Sequence, residues 1–146
     1  AEGQVGPAGP AGPPGATTNI NATIYSTTAL SLTNGTALNL DKTLTNNRLT
    51  VQDGKIVVAN SGTYIISYSI NSSANAIVGE TIAVSVNDIA IVSTKRPIPN
   101  DKTTSAFIVM RLEKNSTVSL VPTITQSLTL SATDAPSATL TVINIA

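Results

Sequence analysis

The side chains of this sequence that are best suited to acid–base chemistry are its eight carboxylates. Two facing carboxylates can act as acid and base in glycoside hydrolysis, and clustered loop carboxylates can hold calcium. Nearly all of these acids stand in or beside turn signals, where an acidic side chain usually bonds the local backbone, and no Asp-x-Asp cluster occurs. The spacing therefore predicts neither a glycosidase centre nor a calcium site. The acidic residues are Glu2, Asp41, Asp53, Glu80, Asp88, Asp101, Glu113 and Asp134.

Nucleophilic catalysis is disfavoured by the composition of the chain. The sequence contains neither histidine nor cysteine, which removes the commonest general base, the commonest metal ligand and any disulfide. Serine and threonine are abundant, but a hydroxyl nucleophile needs a base, and the candidate bases Lys95 and Lys102 fall in a predicted polar loop. We therefore predict that the protein is not an enzyme and that it needs no cofactor and no metal.

The first seventeen residues carry glycine at every third position, at Gly3, Gly6, Gly9, Gly12 and Gly15, with proline in many of the other places. This pattern is typical of collagen, in which only glycine fits at the axis shared by three polyproline-type chains. The alternative is a flexible linker, but a linker does not require strict period three. Residues 1–17 are therefore predicted to form a collagen-like stalk, and residues 18–146 a globular head. So short a stalk buries too little surface to hold three strands together, so the head is expected to supply a parallel homotrimer.

Charge and hydropathy exclude two classes of partner. Charged residues make up 11% of the chain, and eight basic residues balance eight acidic ones. No basic patch indicates nucleic-acid binding, and no polybasic amphipathic helix indicates a membrane surface. No apolar stretch approaches the roughly 20 residues of a membrane-spanning helix. The sequence therefore predicts no nucleic-acid partner and no insertion into a membrane.

The head shows the period-two alternation of β-strands and no convincing helical period. The clearest strand runs from Thr63 to Asn71, with Tyr64, Ile66 and Tyr68 on one face. Two tyrosines in this arrangement can stack on a sugar. On a strand where they alternate with isoleucines, however, they are more typical of a core or of a trimer axis.

The stretch from Thr104 to Leu112 is apolar on both faces, because Phe107 and Val109 oppose Ile108 and Met110. A strand that is apolar on both sides is buried on both sides. One face is expected to join the core of the head, and the other to form an interface between subunits. The candidate core and interface residues are therefore Tyr64, Ile66, Tyr68, Phe107, Val109 and Met110.

Turn signals divide the head into about ten short strands. Asparagine-glycine at 34–35 is predicted to join residues 29–32 to residues 37–40 in a hairpin, and 53–54 and 87–88 are predicted to form two further turns. The last strand is expected to lie inside a sheet. Many short strands without helices predict an all-β sandwich or barrel. The remaining predicted strands are 22–26, 49–52, 55–59, 80–86, 89–94, 117–123, 127–132 and 138–145.

Three segments carry a resemblance to a known family. Residues 54–58 (GKIVV) lead into residues 62–71 (GTYIISYSIN), and residues 140–146 (LTVINIA) close the chain. With a collagen stalk before the head, they resemble the trimeric jelly rolls of the tumour-necrosis-factor and complement-head superfamily. Within it, the chain is similar to the C-terminal domain of the BclA-like collagen-like glycoproteins of the Bacillus and Clostridium exosporium. Those proteins favour Gly-Pro-Thr triplets, whereas the triplets here are mostly Gly-Pro-Ala and Gly-Pro-Pro. The resemblance implies a ten-strand jelly-roll β-sandwich, a homotrimer and no enzymatic activity.

The function implied by the resemblance is that of a structural surface protein. Its head trimerises, aligns and nucleates the collagen-like stalk, and forms the distal tip of a filament on the exosporium. The expected setting is extracellular, on a bacterial spore or cell surface, and the expected partners are further copies of the same chain. Two alternatives stay open, namely a trimeric adhesin or receptor-binding module for a host protein or glycan, and the tip of a phage tail fibre.

Sites of glycosylation are indicated only weakly. By analogy alone, Thr17 and Thr18, in or beside the stalk, are candidate sites for O-linked glycans. Sequons for N-linked glycans also occur, but a chain this rich in Asn, Ser and Thr would contain roughly three by chance. They therefore carry no prediction. The sequons begin at Asn21, Asn34, Asn71 and Asn115.

Overall fold

In the computed structural model, the described residues are Gly3, Gly6, Pro7, Gly9 and residues 20–71, 80–98, 102–126, 128–130 and 136–146. Within this part of the chain there are thirteen β-strands, one turn of 3-10 helix and no α-helix. No helix among these residues has the length and apolar character that crossing a membrane requires. The strands are β1 (Asn21–Ser26), β2 (Leu30–Leu32), β3 (Lys42–Asn47), β4 (Thr50–Gln52), β5 (Lys55–Val57), β6 (Gly62–Asn71), β7 (Thr81–Val86), β8 (Ile89–Ala90), β9 (Arg96–Pro97), β10 (Thr103–Leu112), β11 (Thr117–Thr123), β12 (Leu128–Leu130) and β13 (Ala138–Asn144), and the 3-10 turn is Val92–Thr94.

The first sheet has the strand order β10-β6-β13-β1-β3, and every neighbouring pair in it is antiparallel. The ten-residue strands β6 and β10 pair along their whole length, from Gly62 opposite Leu112 to Asn71 opposite Thr103. Side chains of β6 alternate strictly between buried and half-buried, as the period of two predicts for a strand with one face in the core. The last strand, β13, lies between β6 and β1, which confirms that it sits inside a sheet.

The second sheet has the order β4-β5-β11-β7-β8, with β9 pairing to β7, and β2 pairs with β12 in a separate two-stranded sheet. The buried faces of the sheets share one continuous cluster of aliphatic side chains and two tyrosines. The all-β sandwich predicted from the alternating pattern is therefore confirmed. Representative fully buried side chains are Ile24, Ile66 and Leu140 from the first sheet and Ile56, Ile82 and Leu120 from the second.

Two of the predicted turns join paired strands. Asp53 and Gly54 connect β4 to β5, and Asn87 and Asp88 connect β7 to β8. All four residues have a positive φ, between 52° and 75°. A positive φ at both central residues defines the type I′ turn, whose twist matches that of the strands it joins.

The hairpin predicted around Asn34-Gly35 is wrong. Gly35 does lie in a tight turn, with a φ of 73° and a 3.1 Å hydrogen bond from Thr36 N to Thr33 O. However, β2 pairs with β12, and the segment after the turn bonds to β11 instead, through Leu38 N and Leu120 O at 2.8 Å. A turn fixes only the local change of direction, whereas the partner of a strand depends on which sheet edge the rest of the fold presents.

Two further expectations need correction. The strand predicted over 89–94 ends at Ala90, because the Thr94 hydroxyl accepts from Val84 N at 2.9 Å and donates to Ile91 O at 2.7 Å, which curls the chain into the 3-10 turn. Strand β3 has no counterpart among the predicted strands. All six of its residues are exposed, so its sequence lacks the alternation that reveals a half-buried strand.

Candidate functional site

The outer face of the first sheet carries a row of exposed apolar side chains. Val109 pairs with Ile65, and Ile65 pairs with Ile143, so these three residues form one line across β10, β6 and β13. Phe107 stands on the same face of β10, two residues from Val109. Phe107 is 71% exposed, Val109 50% and Ile143 39%. We call these four residues the apolar strip, because contiguous apolar side chains exposed to this degree mark an interaction surface.

The apolar strip lies at the end of the sheet where the chain enters the head. Its row continues across β13 to Asn21, the first residue of β1, which pairs with Ile143. Beside it, Asn144 N donates to Ile20 O at 2.9 Å. The segment that links the head to the predicted stalk therefore joins the sheet in the same cross-strand row as the strip.

The three candidate residues on β6 face the opposite way. Tyr64, Ile66 and Tyr68 point into the core, where each is at most 3% exposed, so neither tyrosine ring is open for a sugar to stack on. Met110 also faces inward, opposite Tyr64, and packs half-buried against the core. The candidates that lie on the outer face are Phe107 and Val109.

The hydroxyls of the two core tyrosines each have a backbone acceptor. Tyr64 donates to Asn60 O at 2.7 Å, and Tyr68 donates to Thr94 O at 2.6 Å. Burial raises the pKa of Tyr68 to about 12, although the nearby charge of Arg96 partly opposes this. Burial also raises the pKa of Tyr64. Both groups are therefore neutral hydrogen-bond donors that fix neighbouring loops.

Next to the apolar strip, the outer face contains a pocket of about 500 Å³. It arises because the side chains at this end of β6 and β13 are short hydroxyls, whereas Phe107 at the edge of the sheet is large. The guanidinium-bearing Arg96, from β9, also lines it. We call this depression the hydroxyl pocket. Its lining includes Ser67, Ser69, Arg96, Ser105, Phe107 and Thr139.

The cation of this pocket is held by its own loop. Arg96 is half-buried, and its Nη1 donates to Ser93 O at 3.0 Å and to Lys95 O at 2.8 Å. Two ion pairs occur among the described residues, Lys55–Asp88 and Arg111–Glu113, and neither includes Arg96. Arg96 was not predicted as a site residue, because one arginine in a proline-containing loop gives no signal that distinguishes it from a solvated surface cation.

One acidic residue is not at the surface, contrary to what its neighbouring turn signals suggest. Glu80 is 1% exposed, and its carboxylate accepts from Thr125 N at 3.0 and 3.1 Å and from the Thr125 hydroxyl at 2.7 Å. It therefore ties the loop after β11 to the start of β7. Among the described residues, no group of three or more acidic side chains is placed to hold a metal ion.

The predicted stalk is described only in part. Gly3, Gly6 and Gly9 are exposed, and a Cβ built on any of them would have no neighbour within 4 Å. Contacts with the described head therefore do not account for glycine at these positions. The candidate axis glycines Gly12 and Gly15 and the candidate O-glycan sites Thr17 and Thr18 lie outside the described residues.

Comparison with known proteins identifies the fold. No protein-family model matches the chain, and no curated protein sequence is significantly similar to it. The globular domain of zebrafish complement 1qA protein superimposes with a TM-score of 0.62 at 10% identity, covering 87% of this chain and 98% of that one. Eiger TNF from S. frugiperda gives 0.61 at 14% identity, covering 88% and 93%, and rabbit GITRL gives 0.55 at 10%, covering 81% and 93%. The chain therefore has the jelly-roll fold of the tumour-necrosis-factor and complement globular heads.

Proposed function

We propose that the protein is an extracellular structural head that forms a parallel homotrimer through the apolar strip and thereby aligns three collagen-like stalks. The observation that carries this proposal is the strip itself. Phe107 and Val109 lie on the outer face of a sheet whose inner face already fills the core. Apolar area left in water is removed most simply by a second copy of the same surface.

The position of the strip links trimerisation to the stalk. Its row passes through Asn21, so subunits that meet at the strip would bring three copies of residue 20 to one end of the assembly. Three chains entering side by side are what a collagen triple helix needs, since its strands run parallel around a common axis. Of the period-three glycines, Gly3, Gly6 and Gly9 have no contact with the described head that would explain them, and this supports the same arrangement.

The setting rests on the resemblance described above. We place the trimer at the distal tip of a collagen-like filament on a bacterial spore, as part of the exosporium. We also infer that it catalyses no reaction. A Ser–Lys centre would need a lysine held beside a hydroxyl, but Lys95 and Lys102 are exposed. The most buried carboxylate among the described residues, Glu80, is bonded to Thr125.

A binding module is the second candidate, and the hydroxyl pocket favours it. A trimer would present three such pockets, and multivalency would strengthen weak binding to a surface that repeats the ligand. The pocket shares Phe107 with the apolar strip, so part of its rim would lie at the subunit interface of the proposed trimer. A host protein or a glycan would be the partner in that case.

The proposal is tested by sedimentation equilibrium of the full chain and of three lysine variants. Phe107→Lys and Val109→Lys introduce a charge into the strip, and each is expected to convert the trimer to a monomer that keeps its β-sheet circular dichroism. Ile89→Lys is the matched control, because Ile89 is 69% exposed on a strand of the other sheet. It should remain trimeric. A monomeric wild type, or strip variants as trimeric as the control, would refute the proposal.

A further inference from the structure

We propose that a second pocket of the head binds a neutral sugar, one hydroxyl of which accepts from Asn34 Nδ2 and donates to Thr125 Oγ1. We call it the Asn34 pocket. It lies between the 33–36 turn and the loop after β11, and its volume of about 370 Å³ falls within the range of small-molecule sites. Its lining includes Leu32, Thr33, Asn34, Ile124, Thr125 and Gln126.

The Asn34 pocket is separate from the surface proposed for trimer formation. Its lining belongs to β2 and to the segments beside the end of β11, and none of the lining residues lies on β6, β10 or β13. The 33–36 turn extends the second sheet, since Gly35 N donates to Pro122 O at 3.0 Å. The apolar strip lies on the outer face of the other sheet, so the proposed trimer would leave this pocket open on each subunit. The pocket is formed within one chain and does not require the trimer.

The first step in the argument is the orientation of the Asn34 amide. Ile124 N donates to Asn34 Oδ1 at 2.9 Å. A backbone N–H can only donate, so the amide atom that faces it is the oxygen, and this fixes the position of Nδ2. Within the described part of the chain, Nδ2 has no hydrogen-bond partner. Asn34 therefore offers two free donors to a ligand.

The second step is the polarity of the Thr125 hydroxyl. It donates its proton to Glu80 Oε1 at 2.7 Å, so its oxygen can only accept from a ligand. Glu80 is 1% exposed, and a buried carboxylate at the end of a chain of hydrogen bonds strengthens the bonds along that chain. A donor and an acceptor of fixed polarity therefore line the same pocket.

The third step is the chemical group that matches this pair. A hydroxyl carries one donor and two acceptor positions, so one ligand hydroxyl could accept from Asn34 and donate to Thr125 at once. A ligand carboxylate has no proton to donate to Thr125, and the carboxylate of Glu80 behind it would repel an anion. The pair therefore favours a neutral ligand that carries hydroxyls.

The remaining lining favours a sugar over a simple alcohol. Leu32 and Ile124 are apolar, and each is 7% exposed, so a small apolar surface lies beside the polar groups. A sugar ring has C–H faces as well as hydroxyl edges, and this surface accommodates such a face. The Thr33 hydroxyl, which has no side-chain hydrogen bond among the described residues, could bond a second ring hydroxyl. A simple alcohol would leave most of the volume unfilled.

The test is separate titration of the full, isotopically labelled chain with glucose, galactose, mannose and ethanol, followed by NMR. At least one hexose is expected to give saturable shifts at residues that line the Asn34 pocket. Ethanol offers one hydroxyl and no ring, so it should bind more weakly by about tenfold or more. Ethanol binding as tightly as the best hexose would overturn the assignment to a sugar. An absence of saturable shifts with all three hexoses would refute the site.

Variants provide the second readout. Asn34→Asp keeps an oxygen that can accept from Ile124 N but replaces both free donors by an acceptor, so it should weaken hexose binding by about tenfold or more. The control is Asn115→Asp, which makes the same change of charge at an exposed asparagine that does not line the pocket. It should bind as the wild type does. Equal affinity in the two variants, with dispersed amide spectra in both, would overturn the proposal.

The role of Thr125 is tested by a conservative pair of variants. Thr125→Ser keeps the hydroxyl and should retain hexose binding, whereas Thr125→Val removes the acceptor and should lose it. Equal binding by the two would exclude the proposed contact. Sedimentation of the same samples separates this site from the proposed trimer. A monomeric chain that binds a hexose through Asn34 would retain the site and reject the trimer, and a trimeric chain without saturable binding would do the reverse.

Discussion

At the scale of single residues, two glycines with the same backbone conformation stand in different surroundings. Gly35 has a φ of 73° and Gly54 a φ of 75°. A Cβ at Gly35 would meet no atom within 4 Å, whereas one at Gly54 would lie 2.6 Å from Leu38 O and 3.0 Å from Leu40 N. Both positions carry the cost of a left-handed backbone for an L-residue, but only Gly54 adds a collision with the main chain.

We therefore predict different losses of stability for two matched substitutions. Gly35→Ala should lower the free energy of unfolding by about 1–2 kcal/mol, the cost of the backbone conformation alone. Gly54→Ala should lower it by about 2–4 kcal/mol, because the chain near Leu38 must also shift. Urea unfolding at one fixed protein concentration measures both, since self-association would otherwise contribute. Equal losses would show that residues 37–40 can shift away from the new Cβ at position 54 without lowering the free energy of unfolding.

Tyr68 should make the head less stable in alkali. Its pKa is raised from 10.0 to about 12 by burial, so between these values the unfolded chain loses the proton while the folded chain keeps it. The contribution is fully present below pH 10 and is lost as the pH rises towards 12, at about 1.4 kcal/mol per pH unit. The free energy of unfolding, measured from pH 9 to 12, should therefore fall more steeply with pH in the wild type than in Tyr68→Phe.

The same substitution has a cost at neutral pH. Tyr68→Phe removes the donor to Thr94 O and should lower stability by about 1–3 kcal/mol at pH 7, where the pKa has no effect. Parallel pH profiles for wild type and variant, offset by a constant, would contradict the burial-raised pKa while leaving the hydrogen bond intact.

At the scale of elements, strand existence was easier to predict than strand partnership. Strand β6 was predicted from its alternation, which one buried face imposes. Strand β10 was predicted from its apolar residues on both faces, of which the outer ones are exposed. The partner of β2 could not be predicted from the sequence, since it lies almost a hundred residues away in β12. The alternation of apolar residues within a strand does not indicate which distant strand edge is free to pair with it. The hydroxyl pocket was invisible for a related reason, because it combines side chains from four strands that only the sheet order brings together.

The loop after β11 should depend on one buried carboxylate. Glu80→Gln replaces an acceptor by an amide that can offer only one oxygen to the backbone N–H and hydroxyl of Thr125. We expect the free energy of unfolding to fall by about 1–3 kcal/mol. The matched control, Glu113→Gln, changes an acid whose hydrogen bond from Ser61 and ion pair with Arg111 are exposed, and it should alter stability by less than about 1 kcal/mol. A loss of similar size in both variants would mean that charge, rather than the buried contact, is responsible.

At the scale of the whole molecule, the core and the strip both belong to the head. Among the described residues, the continuous hydrophobic cluster runs from Ile20 to Val142. The strip also lies wholly within the head. The head therefore contains the surface through which the proposed trimer would form, and we expect the predicted stalk to depend on the head for its order.

Removal of residues 1–17 should consequently leave the trimer intact. We expect the shortened chain to sediment as a trimer and to run as one in detergent without boiling, because slow unfolding of a tightly packed β-assembly gives kinetic resistance. Val109→Lys in the same background serves as the control and should run as a monomer. A shortened chain that sediments as a monomer would show that the stalk drives assembly.

The central position of β13 bears on the order in which the protein is made. Strand β13 separates the β6–β10 pair from the β1–β3 pair, and Thr23 bonds Thr141 across 118 residues of sequence. A ribosome delivers β13 after every other described strand, so a nascent head holds an open sheet with two unfilled edges until its synthesis is nearly complete. Contacts this distant in sequence also form slowly. Subunit pairing would thus follow the synthesis of β13, and in the proposed trimer the winding of the stalk would proceed from the head towards the amino terminus, opposite to the direction of translation.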